Sequence, residues 1–213
     1  MSDFYSDDHR RLQDAKGTRG LADRLESLSH SEFSPQDREF IESVAMFFLA
    51  TVDHKGRPTV SYKGGAPGFV HILGPSELVF PVYDGNGMYL SLGNIAGSAN
   101  VGMLFIDFQS PRRLRVQGTA RVRALGELPL HYPGAQHMVT VTAEQVFVNC
   151  GRYIHKIGTG TLSQHVPDAS GNQPFPEWKR IDVIAESLSP EDQQRVALAG
   201  GEMPIESYRG EDA

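Results

Sequence analysis

The chain has 213 residues, of which 39% are hydrophobic and 22% are charged, which is typical of a soluble globular protein with a full hydrophobic core. Its formal net charge of -6 opposes nucleic-acid binding over a broad surface, because neutralising phosphates requires an excess of Lys and Arg. The same charge still allows one local basic pocket for a small anion.

Three further features bear on the cellular location of the protein. The only cysteine, Cys150, excludes an intramolecular disulfide, so folding does not depend on an oxidising compartment. The first eleven residues are polar and lack the apolar core of a signal peptide. The longest strongly apolar stretch, Val44 to Val52, is too short to span a bilayer. We therefore expect a cytoplasmic protein that binds neither nucleic acid nor membrane.

Residues 1–34 are predicted to form an N-terminal arm that packs on the body of the protein or on a partner subunit. They are rich in charge, and their apolar positions fit two short helices separated near Gly17 and Gly20. A partly disordered leader is the alternative at this stage. The apolar positions concerned are Leu12, Leu21, Leu25 and Leu28.

A helix is predicted to begin at Ser34, which can cap a free amide, and Pro35 suits its first turn. From Met46 onwards the sequence changes to short strands separated by tight turns, which favours an antiparallel barrel over alternating strands and helices. A short helix is expected near residues 92–99. The seven predicted strands cover residues 46–52, 58–63, 69–73, 77–82, 101–108, 112–125 and 139–148.

The predicted fold class is thus mainly β, an antiparallel split β-barrel with peripheral helices. We place the barrel domain at residues 35–160 and a C-terminal tail at residues 161–213. Within the tail, a terminal helix is expected to begin at Ser189, to end at Gly200-Gly201 and to pack on the barrel.

One face of the second predicted strand carries two cations and two hydroxyls. Side chains alternate in direction along a strand, so this face holds every second residue. It would suit a phosphate group, because Arg and Lys bind phosphate through charge-assisted contacts. A polar face turned to solvent is the alternative. The residues concerned are Arg57, Thr59, Ser61 and Lys63.

A glycine-rich segment, Asp84 to Asn94, follows the fourth predicted strand. Its glycines would let the backbone approach a ligand, and exposed amides at a helix start attract anions. Ser91 and Asn94 could add hydrogen bonds to a phosphate or to a flavin edge. An ordinary surface loop is the alternative.

Two further segments contain groups suited to ligand binding. Arg113, Arg115 and Gln117 share one face of the sixth predicted strand and could meet the pyrimidine edge of a flavin ring, or could simply keep an edge strand soluble. After the last strand, Arg152 and His155 belong to a basic and aromatic cluster, and His155 could transfer protons.

Several catalytic templates do not match the sequence. The eight histidines have no metal-ligand spacing, and neither a nucleophile elbow nor a Walker loop is present. The sequence offers groups that could bind a phosphate but neither a catalytic nucleophile nor a metal-binding motif. This combination favours an organic cofactor that brings its own reactivity.

Taken together, residues 40–157 resemble the pyridoxamine 5'-phosphate oxidase-like FMN-binding split barrels, and the order and spacing of several segments carry the resemblance. Residues 149–154 resemble a segment of one uncharacterised branch of that group. The other segments are Phe48–Val52 with Gly56–Pro58, Ser61–Gly65, Phe80 with Ser91–Asn94, Val101–Phe108 and Leu114–Ala120.

The resemblance implies a homodimer with two FMN sites at the subunit interface. It implies that the phosphate lies against the second strand and the Ser91 to Asn94 segment, and that two arginines of the sixth strand lie near the ring or the other subunit. The predicted cofactor-binding residues are Arg57, Ser61, Tyr62, Lys63, Ser91, Leu92, Asn94, Arg113 and Arg115. Arg152 and His155 are predicted on the substrate side, and no catalytic residue or metal ligand is named.

The sequence also departs from the vitamin-forming oxidases of this group. Those enzymes have an Arg followed five residues later by Lys, whereas Arg57 and Lys63 are six apart. The neighbours of Ser91 are also uncharged. Oxidation of pyridoxamine phosphate is therefore not expected, and the substrate stays open.

Three hypotheses follow for function. The leading one is an FMN-dependent oxidoreductase acting on a small molecule, and the second is a flavin-binding or sensing protein without catalysis. The third is a related barrel that uses haem or a deazaflavin. Haem would need an axial ligand, most simply a tail histidine such as His165.

Overall fold

The computed structural model describes residues 4–83, 87–157 and 174–208. The chain forms two compact units, one made of residues 30–107 and 113–149 and the other of residues 1–29, 108–112 and 150–213. Residues 84–86 of the glycine-rich segment and His165 lie outside the described residues.

The first unit contains nearly the whole of the β-structure. Its α-helices are α3 (Pro35–Ser43) and α4 (Leu90–Ser98). The α-helices of the other unit are α1 (Asp7–Ala15), α2 (Arg19–Ser27), α5 (Asp182–Ala185) and α6 (Pro190–Leu198). The strands are β1 (Met46–Val52), β2 (Pro58–Gly64), β3 (His71–Ile72), β4 (Glu77–Tyr83), β5 (Asn100–Asp107), β6 (Arg112–Arg123) and β7 (Ala135–Val148). Two short 3-10 helices span Glu177–Arg180 and Ile205–Ser207.

All seven strands join one antiparallel sheet in the order β2-β1-β5-β6-β7-β4-β3. This confirms the predicted mainly-β antiparallel class. Strands β2 and β3 form the two edges of the sheet, so among the described strands β2 pairs with β1 alone.

Two strands differ most from the prediction, and the boundaries of the others shift by at most two residues. Strand β3 is limited to two residues, because Phe69 and Val70 are buried in the core outside the strand pairing, directly after Gly68 at a positive φ of 84°. Strand β7 begins four residues earlier than predicted, where Ala135 and His137 pair with the end of β4. Its first four residues include no β-branched side chain, so the sequence pattern did not indicate a strand there.

The core of the first unit is built from alternate residues of the strands. Phe47 lies at its centre, with ring centroids 5.8 Å from Phe69, 5.0 Å from Phe80 and 5.2 Å from Phe105. Edge-to-face and tilted rings at these distances stabilise a core beyond simple area burial. Other fully or nearly fully buried members are Ile41, Leu49, Leu78, Met103, Leu114, Val116, Val139 and Val141.

Helix α3 covers this core and begins where the sequence predicts. One carboxylate oxygen of Asp37 accepts hydrogen bonds from Ser34 N at 2.9 Å, from Ser34 Oγ at 2.6 Å and from His30 Nε2 at 2.7 Å. In return, Ser34 Oγ accepts from the amide of Asp37 at 3.1 Å. This reciprocal cap satisfies amides at the helix start and fixes Phe40 and Ile41 against the sheet.

The second unit contains two N-terminal helices and the C-terminal helices. The two predicted helices form as α1 and α2 with a break at Gly17, although Gly20 lies inside α2 and not in the break. Arg10 links the two helices through ion pairs with Asp23 and Glu26. Helix α6 begins after Ser189, whose hydroxyl accepts from the Asp192 amide, as the capping pattern predicts. A separate hydrophobic cluster is formed by Ile181, Ile184, Leu188 and Val196, with Leu21, Phe175, Trp178, Val183 and Tyr208 packed against it. Over the described ranges, no helix combines the length and hydrophobicity that a membrane span needs.

The bulge between β6 and β7 generates a testable prediction about stability. The register shifts between Gln117 and Gly118, and a Cβ atom on Gly118 would lie 2.0 Å from the carbonyl oxygen of Thr142. We expect Gly118→Ala to lower the free energy of unfolding by about 1–3 kcal/mol, because the strands must separate locally. Gly102→Ala is the matched control, since its Cβ would meet only Ala50 Cβ at 3.7 Å. Equal unfolding midpoints in urea for the two variants would contradict this account.

Candidate functional site

The β1–β2 hairpin positions the candidate site. At its turn, Asp53 Oδ1 accepts hydrogen bonds from the amides of Lys55 and Arg57, and Gly56 adopts a positive φ of 75°. This turn sets the register in which Thr51 faces Thr59, and two residues further Leu49 faces Ser61. Directly opposed residues of an antiparallel pair lie on the same face of the sheet. The hydroxyls of β2 therefore lie on the face that also carries the core residue Leu49.

The two faces of β2 have an unusual distribution of polarity. Thr59, Ser61 and Lys63 are half-buried on the inner face, whereas Val60 and Tyr62 on the outer face are 69% and 63% exposed. A strand at the surface of a protein normally buries its apolar residues and exposes its polar ones. Here the pattern is reversed, which rules out the alternative of a polar strand face simply turned to solvent.

Helix α4 lies against the inner face of the hairpin. Ser91 in its first turn is only 7% exposed, and Ser91 Oγ lies 3.0 Å from Ser61 Oγ. The N-cap residue of the helix is Tyr89, in a left-handed conformation at φ 49°, and its side chain makes no capping hydrogen bond. The start of a nine-residue helix, with its partial positive charge, thus adjoins two serine hydroxyls.

Asn94 forms a second link between α4 and the hairpin. Its Nδ2 donates to Thr51 Oγ1 at 3.0 Å and to Thr59 Oγ1 at 3.1 Å. The two threonine hydroxyls lie 2.8 Å apart. Because both amide hydrogens are used inside the protein, the predicted cofactor contact of Asn94 depends on its carbonyl oxygen.

Lys63 supplies the cation of this cluster. It faces Phe47 across the hairpin, and its partial burial lowers the pKa of its ammonium group from the ordinary value of 10.5. Within the described part of the chain, no carboxylate forms an ion pair with Lys63. A half-buried cation without a local counterion makes the inner face of β2 attractive to an anion.

Other predicted residues have different neighbours. Arg57 Nε donates to Asp53 Oδ2 at 2.8 Å, and this contact holds the pKa of the Asp53 carboxyl at about 2. Leu92 packs against the hydrophobic core, and Tyr62 contacts Phe48 on the outer face with ring centroids 6.2 Å apart. The Arg57 and Tyr62 side chains and the Leu92 side chain are therefore not part of the inner polar cluster.

The predicted arginines of β6 are not brought together with this cluster along the sheet. Arg113 and Arg115 lie on a strand that β1 and β5 separate from β2. Arg152 and His155 belong to the other compact unit, where the Arg152 guanidinium lies 5.6 Å from the ring centroid of Tyr153. A role for Arg113 and Arg115 at the cofactor, and for Arg152 and His155 on the substrate side, stays a prediction.

Sequence reasoning missed the part of Thr51 in the site and gave Thr59 no place among the binding residues. The signal that could have found them is the turn from Asp53 to Gly56, because it fixes the two threonines as opposed residues. Among the described residues, no three His, Cys, Asp or Glu side chains are grouped so that they could hold a metal ion.

Comparisons with known proteins identify the family of the chain. Residues 33–150 match the family described as pyridoxamine 5'-phosphate oxidase, which is more than half of the 213 residues and includes all seven strands. No curated protein matches the chain.

Solved structures of low similarity also match. A putative pyridoxamine 5'-phosphate oxidase from Lactobacillus delbrueckii is 25% identical, with a TM-score of 0.45, and the match covers 56% of this chain and 97% of that one. HupZ from group A Streptococcus is 16% identical over 55% of this chain and 93% of that one, with a TM-score of 0.44. HutZ, a haem storage protein from Vibrio cholerae, is 19% identical over 55% and 94%, with a TM-score of 0.40.

The seven-stranded antiparallel sheet and the extent of the family match lead to the same assignment. The chain belongs to the pyridoxamine 5'-phosphate oxidase family and has its split-barrel fold.

Proposed function

We propose that this protein binds FMN and that the inner face of β2, together with the start of α4, holds the FMN phosphate. The observation that carries the proposal is the reversed polarity of β2, which turns Ser61 and Lys63 inward while Val60 and Tyr62 remain exposed. Burying hydroxyls and an unpaired ammonium group costs free energy unless a ligand satisfies them. A phosphate group would satisfy all of these groups at once.

The chemistry of the donors fits a phosphate. Lys63 provides an ammonium group, Ser61 and Ser91 provide hydroxyls 3.0 Å apart, and the first turn of α4 provides backbone amides. Helix starts and Lys side chains are common phosphate-binding elements in proteins. Because the neighbours of Ser91 are uncharged, phosphate binding would depend more on Lys63 here than in the vitamin-forming oxidases.

The outer face of the same hairpin supports a proposed homodimer. Val60 and Tyr62 on the edge strand, with Phe48 beside Tyr62, form an exposed apolar surface that a second copy of the chain could cover. On the family resemblance alone, we also propose that the flavin lies at the subunit interface. Arg113 and Arg115 are then proposed to act at the ring of a flavin bound mainly by the other subunit.

We further propose that the protein is an oxidoreductase acting on a small molecule. Bound FMN would supply the exchange of electrons at its isoalloxazine ring, and the residues of the chain would bind and orient it. Reduction of bound flavin by NADH or NADPH, followed by turnover with an acceptor, separates this proposal from a flavin-binding protein without catalysis.

The absorption spectrum tests the cofactor directly. We expect the purified protein, after addition of FMN and removal of the excess, to retain flavin bands and to quench flavin fluorescence in a titration. A Soret band after addition of haem, with no retention of FMN, would instead favour the haem hypothesis. A protein that retains neither would contradict a cofactor-binding role.

Replacing Lys63 tests the phosphate site. We expect Lys63→Met to raise the Kd for FMN by about 10–100-fold, the equivalent of about 1.5–3 kcal/mol for a hydrogen bond to a charged group. The Kd for riboflavin, which has no phosphate, should change little. Because burial disfavours the charged Lys63, the free energy of unfolding without FMN should not fall.

Lys55→Met is the matched control, since Lys55 is an exposed lysine in the turn of the same hairpin. It should leave the Kd for FMN unchanged. If both variants bind FMN as tightly as the unaltered chain, the phosphate does not lie on the inner face of β2.

The lowered pKa of Lys63 predicts a pH dependence. Phosphate binding needs the protonated ammonium group, so affinity should fall as the pH rises through a value below 10.5, the ordinary pKa of lysine. The ratio of the riboflavin Kd to the FMN Kd, measured from pH 7 to 10.5, isolates the phosphate contribution. Lys63→Arg should keep this ratio flat, because Arg stays charged throughout this range. A ratio for the unaltered chain that does not decline would argue against Lys63 as the phosphate ligand.

A further inference from the structure

The side chains of Asn94, Thr51 and Thr59 form a triangle of hydrogen bonds in which the donors and acceptors can be assigned. Three contacts of 2.8 to 3.1 Å join the three side chains, and each contact needs one hydrogen atom. The amide nitrogen of Asn94 offers two hydrogens, and one threonine hydroxyl supplies the third. All three contacts are then satisfied.

The opposite orientation of the Asn94 amide fails this count. If its carbonyl oxygen faced the threonines, only the two hydroxyl hydrogens would be available for three contacts. One of the three contacts would then bring two oxygen atoms together with no hydrogen between them. The amide nitrogen therefore faces the threonines, and its carbonyl oxygen points elsewhere.

The count also leaves one hydroxyl hydrogen unused. The two threonines have two hydroxyl hydrogens, and only one is needed between Thr51 and Thr59. Thr51 is 1% exposed, so an unused hydrogen there would be a buried donor without an acceptor, which is costly. Thr59 is half-buried on the edge strand. Thr51 is therefore the donor in the pair, and the hydrogen of Thr59 is left for an acceptor outside the triangle.

We infer that Thr59 is a further binding residue of the site, with Asn94 and Thr51 as positioning residues that fix the direction of its hydroxyl. The inference rests on the proposed function. The acceptor would be an oxygen of FMN, either on the phosphate or on the ribityl chain. Thr59 shares its strand face with Ser61 and Lys63, and residues two apart on a strand are about 6.6 Å apart, within the reach of one such ligand.

The arrangement of α4 supports this assignment. Ser91 and Asn94 are three residues apart and so lie on the same side of the helix. Ser91 contacts Ser61, and Asn94 contacts Thr59, so α4 runs antiparallel to β2 and is linked to it at two places. These two links hold the hydroxyls of Thr59, Ser61 and Ser91 together between β2 and α4.

Thr59→Val tests the inference, because valine keeps the shape of threonine and removes the hydroxyl. We expect the Kd for FMN to rise about tenfold, whereas Thr59→Ser should stay within about threefold of the unaltered chain. Thr119→Val is the matched control, a half-buried threonine of β6 opposite Thr142, and should leave the Kd unchanged. Thermal unfolding of each variant without FMN shows whether it is folded.

Riboflavin distinguishes the two possible acceptors. A loss of affinity for FMN alone assigns the Thr59 contact to the phosphate, and an equal loss for riboflavin assigns it to the ribityl chain. Thr59→Val that binds both flavins like the unaltered chain would overturn the inference. If the unaltered chain does not bind FMN at all, the proposed function fails, and the inference fails with it.

A double-mutant cycle tests the positioning role of Asn94. Asn94→Ala should raise the Kd for FMN in the unaltered chain by several-fold more than in the Thr59→Val background, because part of its effect passes through Thr59. Effects that simply multiply would show that Asn94 does not act through Thr59 and would overturn that part of the inference.

Discussion

The register of the β1–β2 hairpin is the constraint on which the candidate site depends. Side chains of a strand alternate with a period of two, so a slip of one residue would turn Ser61 and Lys63 outward and bring Val60 and Tyr62 inward. Asp53 prevents such a slip by binding two amides of the turn and the Arg57 guanidinium. A surface turn thus determines which face of β2 a ligand can reach.

The sequence was a good guide to the strands and a poorer guide to the site. The apolar runs of β1 and β5 and the alternation in β6 predict strands that the structure confirms, because each strand buries alternate residues in the core. The grouping of Ser61 with Lys63 on one face of β2 follows from the same period. The strand period does not show whether that face of β2 points toward the core or toward solvent, because either face of an edge strand can turn inward when both carry some apolar surface.

Contacts between distant segments were beyond the reach of sequence patterns. Asn94 lies 43 residues from Thr51 in the chain, and only the packing of α4 on the hairpin brings them together. Arg57 was predicted to face the ligand because of its place in the alternation, yet its local pairing with Asp53 decides where its guanidinium lies. An ion pair between residues close in sequence can thus override the side-chain direction expected from strand alternation.

The exposed outer face of β2 also has a consequence for handling the protein. Strand β2 is an edge strand of the described sheet, so one row of its backbone amides and carbonyls has no neighbouring strand among the described residues. The side chains of Val60 and Tyr62 add exposed apolar surface beside that row. Such edges template intermolecular strand addition when chains are crowded and nothing covers them. Pro58, the first residue of the strand, lacks an amide hydrogen and so removes one position from which the addition could start.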